Sequence, residues 1–323
     1  MKTLLTKVAV LLAPFIVAAL IAVSHAGTLR EGVFDGNMQA KFLTFLAPDT
    51  EVVIAGDSRA ECQIVPSIVE SRTGLKTCNV ASGAGDLITL YNALKRNSAL
   101  RTDRALIVST SIFQVNDGAI QPGYISTACI LNMTWPERIE VYRLAFPSLL
   151  RFLVKTGWEG EGRPGLISVG VRQANGFVGH EGRLLLPVNV LLDPENTNHF
   201  WYRNPSLHGA RWRIFREALG ELAKSKLRIY IYLPPVSPAW RDYTAGTFID
   251  SAEREFGEML RAETLAHSNI RLLDYYSEPD RRLGNDMYFD IQHLNSAGAA
   301  QFTEILMARI GNELRARGMR LVP

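Results

Sequence analysis

The sequence predicts an α/β fold: a three-layer α/β/α sandwich on a five-stranded parallel sheet, with a long insertion between strands 3 and 4. Two observations carry this reading. Five short, near-continuously apolar runs recur along a chain of 323 residues that is 47% hydrophobic, which is the pattern of strands buried on both faces. Helical stretches with ordinary stop signals separate those runs, and right-handed crossovers then place helices on both sides of the sheet.

The first strand is Glu51-Val-Val-Ile-Ala-Gly56. A helical stretch from Ser67 stops at Gly74, as helices commonly do at glycine. Leu75 to Val80 forms the second strand and Leu87 to Leu100 a helix. The third strand runs from Arg104 to Thr110. Arg211 to Lys224 is amphipathic, with Trp212, Phe215, Leu219 and Leu222 near one face. Leu227 to Leu233 is the fourth strand, halted by Pro234-Pro235. A charged helix covers Phe248 to Ala266, and Ile270 to Asp274 is the fifth strand. Asn295 or Ser296 caps a last helix that reaches about Arg317.

Residues from about 118 to 207 interrupt this alternation. A structureless loop of that length is uncommon in a compact domain. The segment holds Tyr124, Trp135, Tyr142, Trp158, Trp201 and Tyr202. It reads as a lid or side wall over a site, or as a subdomain that buttresses the sheet.

Residues 1–26 read as an export signal or a retained membrane anchor. Lys2 and Lys7 flank an apolar run from Val8 to Val23, and Ser24-His25-Ala26 offers a cleavage site. Either outcome puts the domain at 27–323 outside the cytoplasm, in the periplasm or secreted. Cys62, Cys78 and Cys129 are an odd set for an exported chain. They read either as a Cys62–Cys78 pair with one free thiol or as three buried thiols. A net charge of +3 without basic runs argues against nucleic acid as a partner. The six histidines are scattered and no Cys-x-x-Cys occurs, so no metal site and no cofactor are expected.

The chemistry concentrates in two short segments. Gly56-Asp57-Ser58-Arg59 follows the first strand, at the strand end where such folds bind ligands. Asp290-Ile291-Gln292-His293 precedes the last helix. A serine hydroxyl is inert until a base lies within hydrogen-bond reach. Asp290, three residues before His293, is spaced to accept from one ring nitrogen and leave the other as that base. Arg59 reads as a surface arginine of the first helical turn, with a weaker reading as a substrate-binding residue. Asp57 reads as a turn-shaping carboxylate.

Gly56-Asp57-Ser58 and Asp290-x-x-His293, followed by Leu294-Asn295-x-x-Gly298, resemble the first and last signature blocks of the SGNH (GDSL-type) hydrolase superfamily. The resemblance implies a flavodoxin-like SGNH fold with Ser58 as nucleophile, His293 as base and Asp290 completing the triad. It implies an oxyanion hole from the Ser58 amide, Gly83 (or Gly85) and Asn116, with Gln114 standing where the family block has glycine. Gly-Asp-Ser-Arg, Leu233-Pro-Pro-Val-Ser-Pro238 and the late Asp-x-x-His-Leu-Asn are most similar to cell-envelope members of the alginate O-acetyltransferase and teichoic-acid D-alanylation types. That likeness implies an esterase or O-acyltransferase acting on an extracytoplasmic polysaccharide or other acylated polymer, with an integral membrane acyltransferase as partner. A non-catalytic scaffold or polymer-binding subunit on the same fold is the rival expectation.

Overall fold

The computed structural model describes residues 41, 44–83, 85–96, 104–118, 125–141, 143, 171–172, 177–180, 202, 205–225 and 227–318. The expected leader at 1–26 and much of the insertion, including Tyr124, Tyr142, Trp158 and Trp201, lie outside them. Among the described residues no helix is long and apolar enough to cross a membrane.

Five parallel strands form one sheet. Strand β1 (Val52–Ala55) leads through α1 (Ser58–Gln63) and α2 (Pro66–Thr73) to β2 (Thr77–Asn79). Helix α3 (Leu87–Arg96) crosses to β3 (Ala105–Ser109). The insertion contributes α4 (Thr127–Leu131) and the short strands β4 (Val171–Arg172) and β5 (Val178–Gly179). Then follow α5 (Ala210–Ala223), β6 (Arg228–Leu233), α6 (Pro238–Thr244), α7 (Phe248–Leu265), β7 (Ile270–Asp274) and α8 (Ser296–Gly318). The sheet order is β2-β1-β3-β6-β7, and β4 and β5 pair separately and antiparallel. All five strands of the large sheet fall where the apolar runs predict them.

Burial explains why these runs are strands. Every residue of β1 has no accessible surface, and β3 and most of β6 are equally enclosed. Each buried valine or isoleucine contributes roughly 1.5–3 kcal/mol relative to exposure, so a parallel strand covered on both faces needs apolar residues at consecutive positions. Helices α1, α2 and α8 pack together, while α3 packs on α5 and α5 meets α7 through Trp212 and Phe256. Trp212, Phe215, Leu219 and Leu222 are all buried, as their shared helical face requires.

Three local features depart from expectation or settle a choice. Helix α6 adds to the elements that the sequence pattern predicts; it starts with Pro238 in its first turn, and the Ser237 hydroxyl accepts from Trp240 N–H. At the last helix the cap is Asn295, whose carboxamide oxygen accepts from Gly298 N–H at 2.9 Å. The three cysteines are free and buried, so Cys62 and Cys78 are not paired. Burial pushes the Cys78 and Cys129 thiols up to about 12, which leaves them packing as small hydrophobes.

The chain runs from β1 to β2 in one direction across the sheet and reaches β3 on the other side of β1. That reversal makes a switch point between the C-terminal ends of β1 and β3, where neighbouring connections part and leave a crevice.

Candidate active site

The Ser58 turn is built at that switch point. Gly56 ends β1 with φ at 125°, in the region that favours glycine. A Cβ there would lie 2.5 Å from the Ser109 carbonyl oxygen, so β3 excludes any side chain. Asp57 then caps α1, accepting from Arg59 N–H at 3.1 Å. Its carboxylate also accepts from the hydroxyls of Ser109 and Ser111, each at 3.1 Å, and from the Arg59 guanidinium at 3.1 Å. Burial would raise the Asp57 pKa, but Arg59 and these donors outweigh it and hold the group below its usual range. Asp57 is the rivet under the Ser58 turn, as its sequence position suggests.

Arg59 is corrected by the structure. It is 3% exposed rather than a surface arginine, lying over the Phe113 ring at 5.1 Å while paired to Asp57. Arg59 points inward from the first turn of α1 while Ser58 on the same turn stays partly exposed, and a guanidinium enclosed and paired there serves the fold.

The second segment reaches Ser58 from beyond β7. Asp290 uses its carboxylate three times. Oδ1 accepts from the N–H groups of Gln292 and His293 at 2.8 and 2.7 Å, and the His293 ring presents Nδ1 at 2.8 Å from Oδ2. The same group therefore shapes the turn and orients the imidazole. Neighbouring bonds pin the loop from outside. Ser237 N–H donates to Ile291 O, the Gln63 side-chain amide to Gln292 O, and Tyr288 OH to Val236 O. Gly298 permits α8 to start against this loop, since a Cβ there would lie 2.0 Å from the Met287 carbonyl oxygen.

The two segments meet. Ser58 Oγ lies 2.8 Å from His293 Nε2 across 235 residues of sequence. Both side chains are partly exposed, so a substrate can reach them. Burial would lower the His293 pKa, but the Asp290 charge and hydrogen bond raise it above the ordinary histidine value. The Asp290 carboxyl is held down, to about 2, against burial by His293 and the two backbone donors. A serine hydroxyl, a polarised imidazole and an ionised carboxylate thus stand in line, the arrangement that proton transfer from an attacking hydroxyl requires.

The oxyanion expectations divide. Ser58 opens α1, so its N–H has no acceptor within the helix. Ser82 N–H donates to Gly56 O at 3.2 Å, which brings Gly83 beside the Ser58 turn, and Gly83 is partly exposed whereas Gly85 is buried. Asn116 has no accessible surface, and its carboxamide oxygen accepts from Gly118 and Ser206 N–H at 2.9 Å each. An oxyanion donor must touch the substrate oxygen. Asn116 instead ties the start of the insertion to its end, a role its displacement past the turn Ile112–Gln114 makes natural.

One residue near the site was not singled out from sequence. His180 follows β5, and its ring centroid lies 6.3 Å from that of His293. Its neighbours along the chain give no chemical pattern; only the docking of the β4–β5 hairpin brings it there.

No protein-family model matches the chain, and no curated protein matches it. Among solved structures, it is similar to a member of the lipolytic protein G-D-S-L family from Veillonella parvula, with 14% identity, 80% of this chain and 97% of that one covered, and a TM-score of 0.39. An acetyl xylan esterase matches with 9% identity, 80% and 99% coverage and a TM-score of 0.39. A carbohydrate esterase family 2 enzyme with a carbohydrate-binding domain from Corynascus thermopiles matches with 12% identity, 84% and 67% coverage and a TM-score of 0.39. At these scores the overlaps are partial, and function is read from the site's own geometry.

Proposed function

We propose that this protein is a serine-dependent acyl-transfer enzyme of the SGNH type, with Ser58 as nucleophile, His293 as general base and Asp290 as the orienting carboxylate. The observation that carries the proposal is the 2.8 Å contact of Ser58 Oγ with His293 Nε2, continued by the 2.8 Å contact of Nδ1 with Asp290. Ser58 Oγ attacks an ester carbonyl while its proton passes to His293. The carbonyl oxygen, now negative, is held by the amides of Ser58 and Gly83. Collapse breaks the ester C–O bond, and His293 returns the proton to the departing alcohol. The acyl-enzyme is then cleared by water or by another alcohol, whose proton His293 takes in turn.

The finer reading is an esterase or O-acyltransferase working on an acylated polysaccharide outside the cytoplasm. The apolar run from Val8 to Val23 and the Ser24-His25-Ala26 that follows support export or anchoring. The envelope-type blocks around Ser58, Pro234 and His293 support a polymer substrate and a membrane acyltransferase as partner.

A serine-directed phosphonate tests the core of this reading. We expect a covalent adduct on Ser58 in the wild-type protein, located by peptide mass spectrometry, and none in Ser58→Ala. An unlabelled wild type would count for a scaffold that has kept the fold without the reaction. Release of acetate from an acetylated oligosaccharide, against its transfer to an added oligosaccharide, separates esterase from transferase.

A further inference from the structure

The insertion places a second imidazole beside the first. The His180 carbonyl accepts from both the N–H and the hydroxyl of Ser296, at 2.8 and 3.1 Å, which fastens the end of β5 to the start of α8. The His180 ring stacks on Phe289, with centroids 4.8 Å apart and planes 17° apart, and Phe289 immediately precedes Asp290. His180 is therefore held by backbone and ring contacts that leave its polar edge for other use.

That edge has a definite character. Nδ1 is buried and has no hydrogen-bond partner among the described residues, whereas the residue as a whole is partly exposed. Burial, and then the neighbouring His293, push the pKa of His180 below the ordinary histidine value, against weaker opposition from Asp290 and Glu61. A neutral ring with an enclosed Nδ1 is best protonated at Nε2, because a buried N–H without an acceptor costs more than a buried lone pair. That tautomer leaves Nε2–H as a donor.

The alcohol half of an ester must lie near His293 Nε2, since that atom returns the proton as the alcohol leaves. The two imidazole centroids lie 6.3 Å apart, so groups carried on one ester can reach both rings, given hydrogen bonds of about 2.9 Å. We propose that His180 forms a subsite for the alcohol half of the substrate, donating to a hydroxyl or ring oxygen next to the scissile oxygen. The site would then favour polyol and sugar esters over alkyl esters of the same acyl group. This rests on Ser58 and His293 acting as described above.

The test compares 2-hydroxyethyl acetate with propyl acetate, which differ by a hydroxyl in place of a methyl. The full-length wild type should prefer the hydroxylated ester by about 10-fold in kcat/KM, the worth of one hydrogen bond. His180→Phe, which keeps the ring stack, should abolish that preference, lowering kcat/KM for 2-hydroxyethyl acetate about 10-fold more than for propyl acetate or p-nitrophenyl acetate. His180→Gln, which keeps a donor, should recover part of it. A wild type without the preference, or equal losses on all three esters in His180→Phe, would overturn the subsite. Phosphonate labelling of Ser58 is read in parallel. An adduct without the preference defeats the subsite alone, and no adduct in wild type defeats the serine reading beneath it.

Discussion

Asp57 and Asp290 sit one on each side of the Ser58–His293 contact, and both carboxyls are held below their usual pKa. Their surroundings differ. Asp57 is 6% exposed and, among the described residues, bonds to its own turn, to Ser109 and Ser111, and to the buried Arg59. The Asp290 side chain is 43% exposed and shares its charge with a titratable ring. The same side chain is thus a structural rivet where its partner is an enclosed arginine and, in the proposed function, an orienting group where its partner can gain and lose a proton. The depressed pKa alone does not separate the two roles; the partner does.

Substitutions can break this contrast. Ser58→Ala, which touches neither carboxylate, should lower kcat by about 10⁴-fold or more with an unchanged melting temperature. Activity that survives would remove Ser58 as nucleophile. Asp290→Asn should cost about 10³-fold or more in kcat, as loss of the orienting carboxylate does in a triad. Asp290 raises the His293 pKa, so the wild-type acid limb of kcat/KM should lie above the ordinary histidine value of about 6.5. In Asp290→Asn that limb should move to lower pH. An unmoved limb would show that His293 is not the titrating base.

Asp57→Ala should behave in the opposite sense, as a folding defect. It leaves Arg59 buried without its carboxylate, a loss of about 3–5 kcal/mol measurable by denaturant titration. The folded-state pKa of Asp57 lies below the unfolded value, so its contribution is present above about pH 4 and is lost as pH falls through the folded pKa. Equal stability in wild type and Asp57→Ala would dissolve the distinction drawn between the two aspartates.

The smallest effect belongs to the insertion. Tyr202 is fully buried, and its hydroxyl donates to Glu253 Oε1 at 2.6 Å beneath Arg59 and Phe113. Tyr202→Phe should cost about 1–2 kcal/mol by removing that donor from a buried carboxyl. Activity per folded molecule should remain near wild type. A loss of turnover in a stable Tyr202→Phe protein would give this network a part in the reaction.

The strands and the two segments that meet at Ser58 and His293 were legible in the sequence because both are written locally. An apolar run that must be buried on two faces looks the same in any such sheet. Asp290 shapes its turn and holds His293 through spacings of two and three residues, and Ser58 follows its strand directly. Arg59 and Asn116 lie deeper than their sequence positions suggest, for the opposite reason. Whether a side chain beside a strand end faces solvent or the interior depends on what the rest of the chain packs over it: Phe113 and Asp57 for one, Ser206 for the other. His180 offered no pattern at all, because its neighbours in sequence are not its neighbours in space.

The sequence by itself determined the sheet, the order of its strands along the chain, and the two segments that carry Ser58 and Asp290 to His293. Only the tertiary structure decided that Ser58 and His293 come within 2.8 Å, that Arg59 is enclosed, and that His180 stands beside them. The physical reason is that periodicity and capping act over a few residues, whereas burial and contact across 235 residues are set by how the finished layers close on one another.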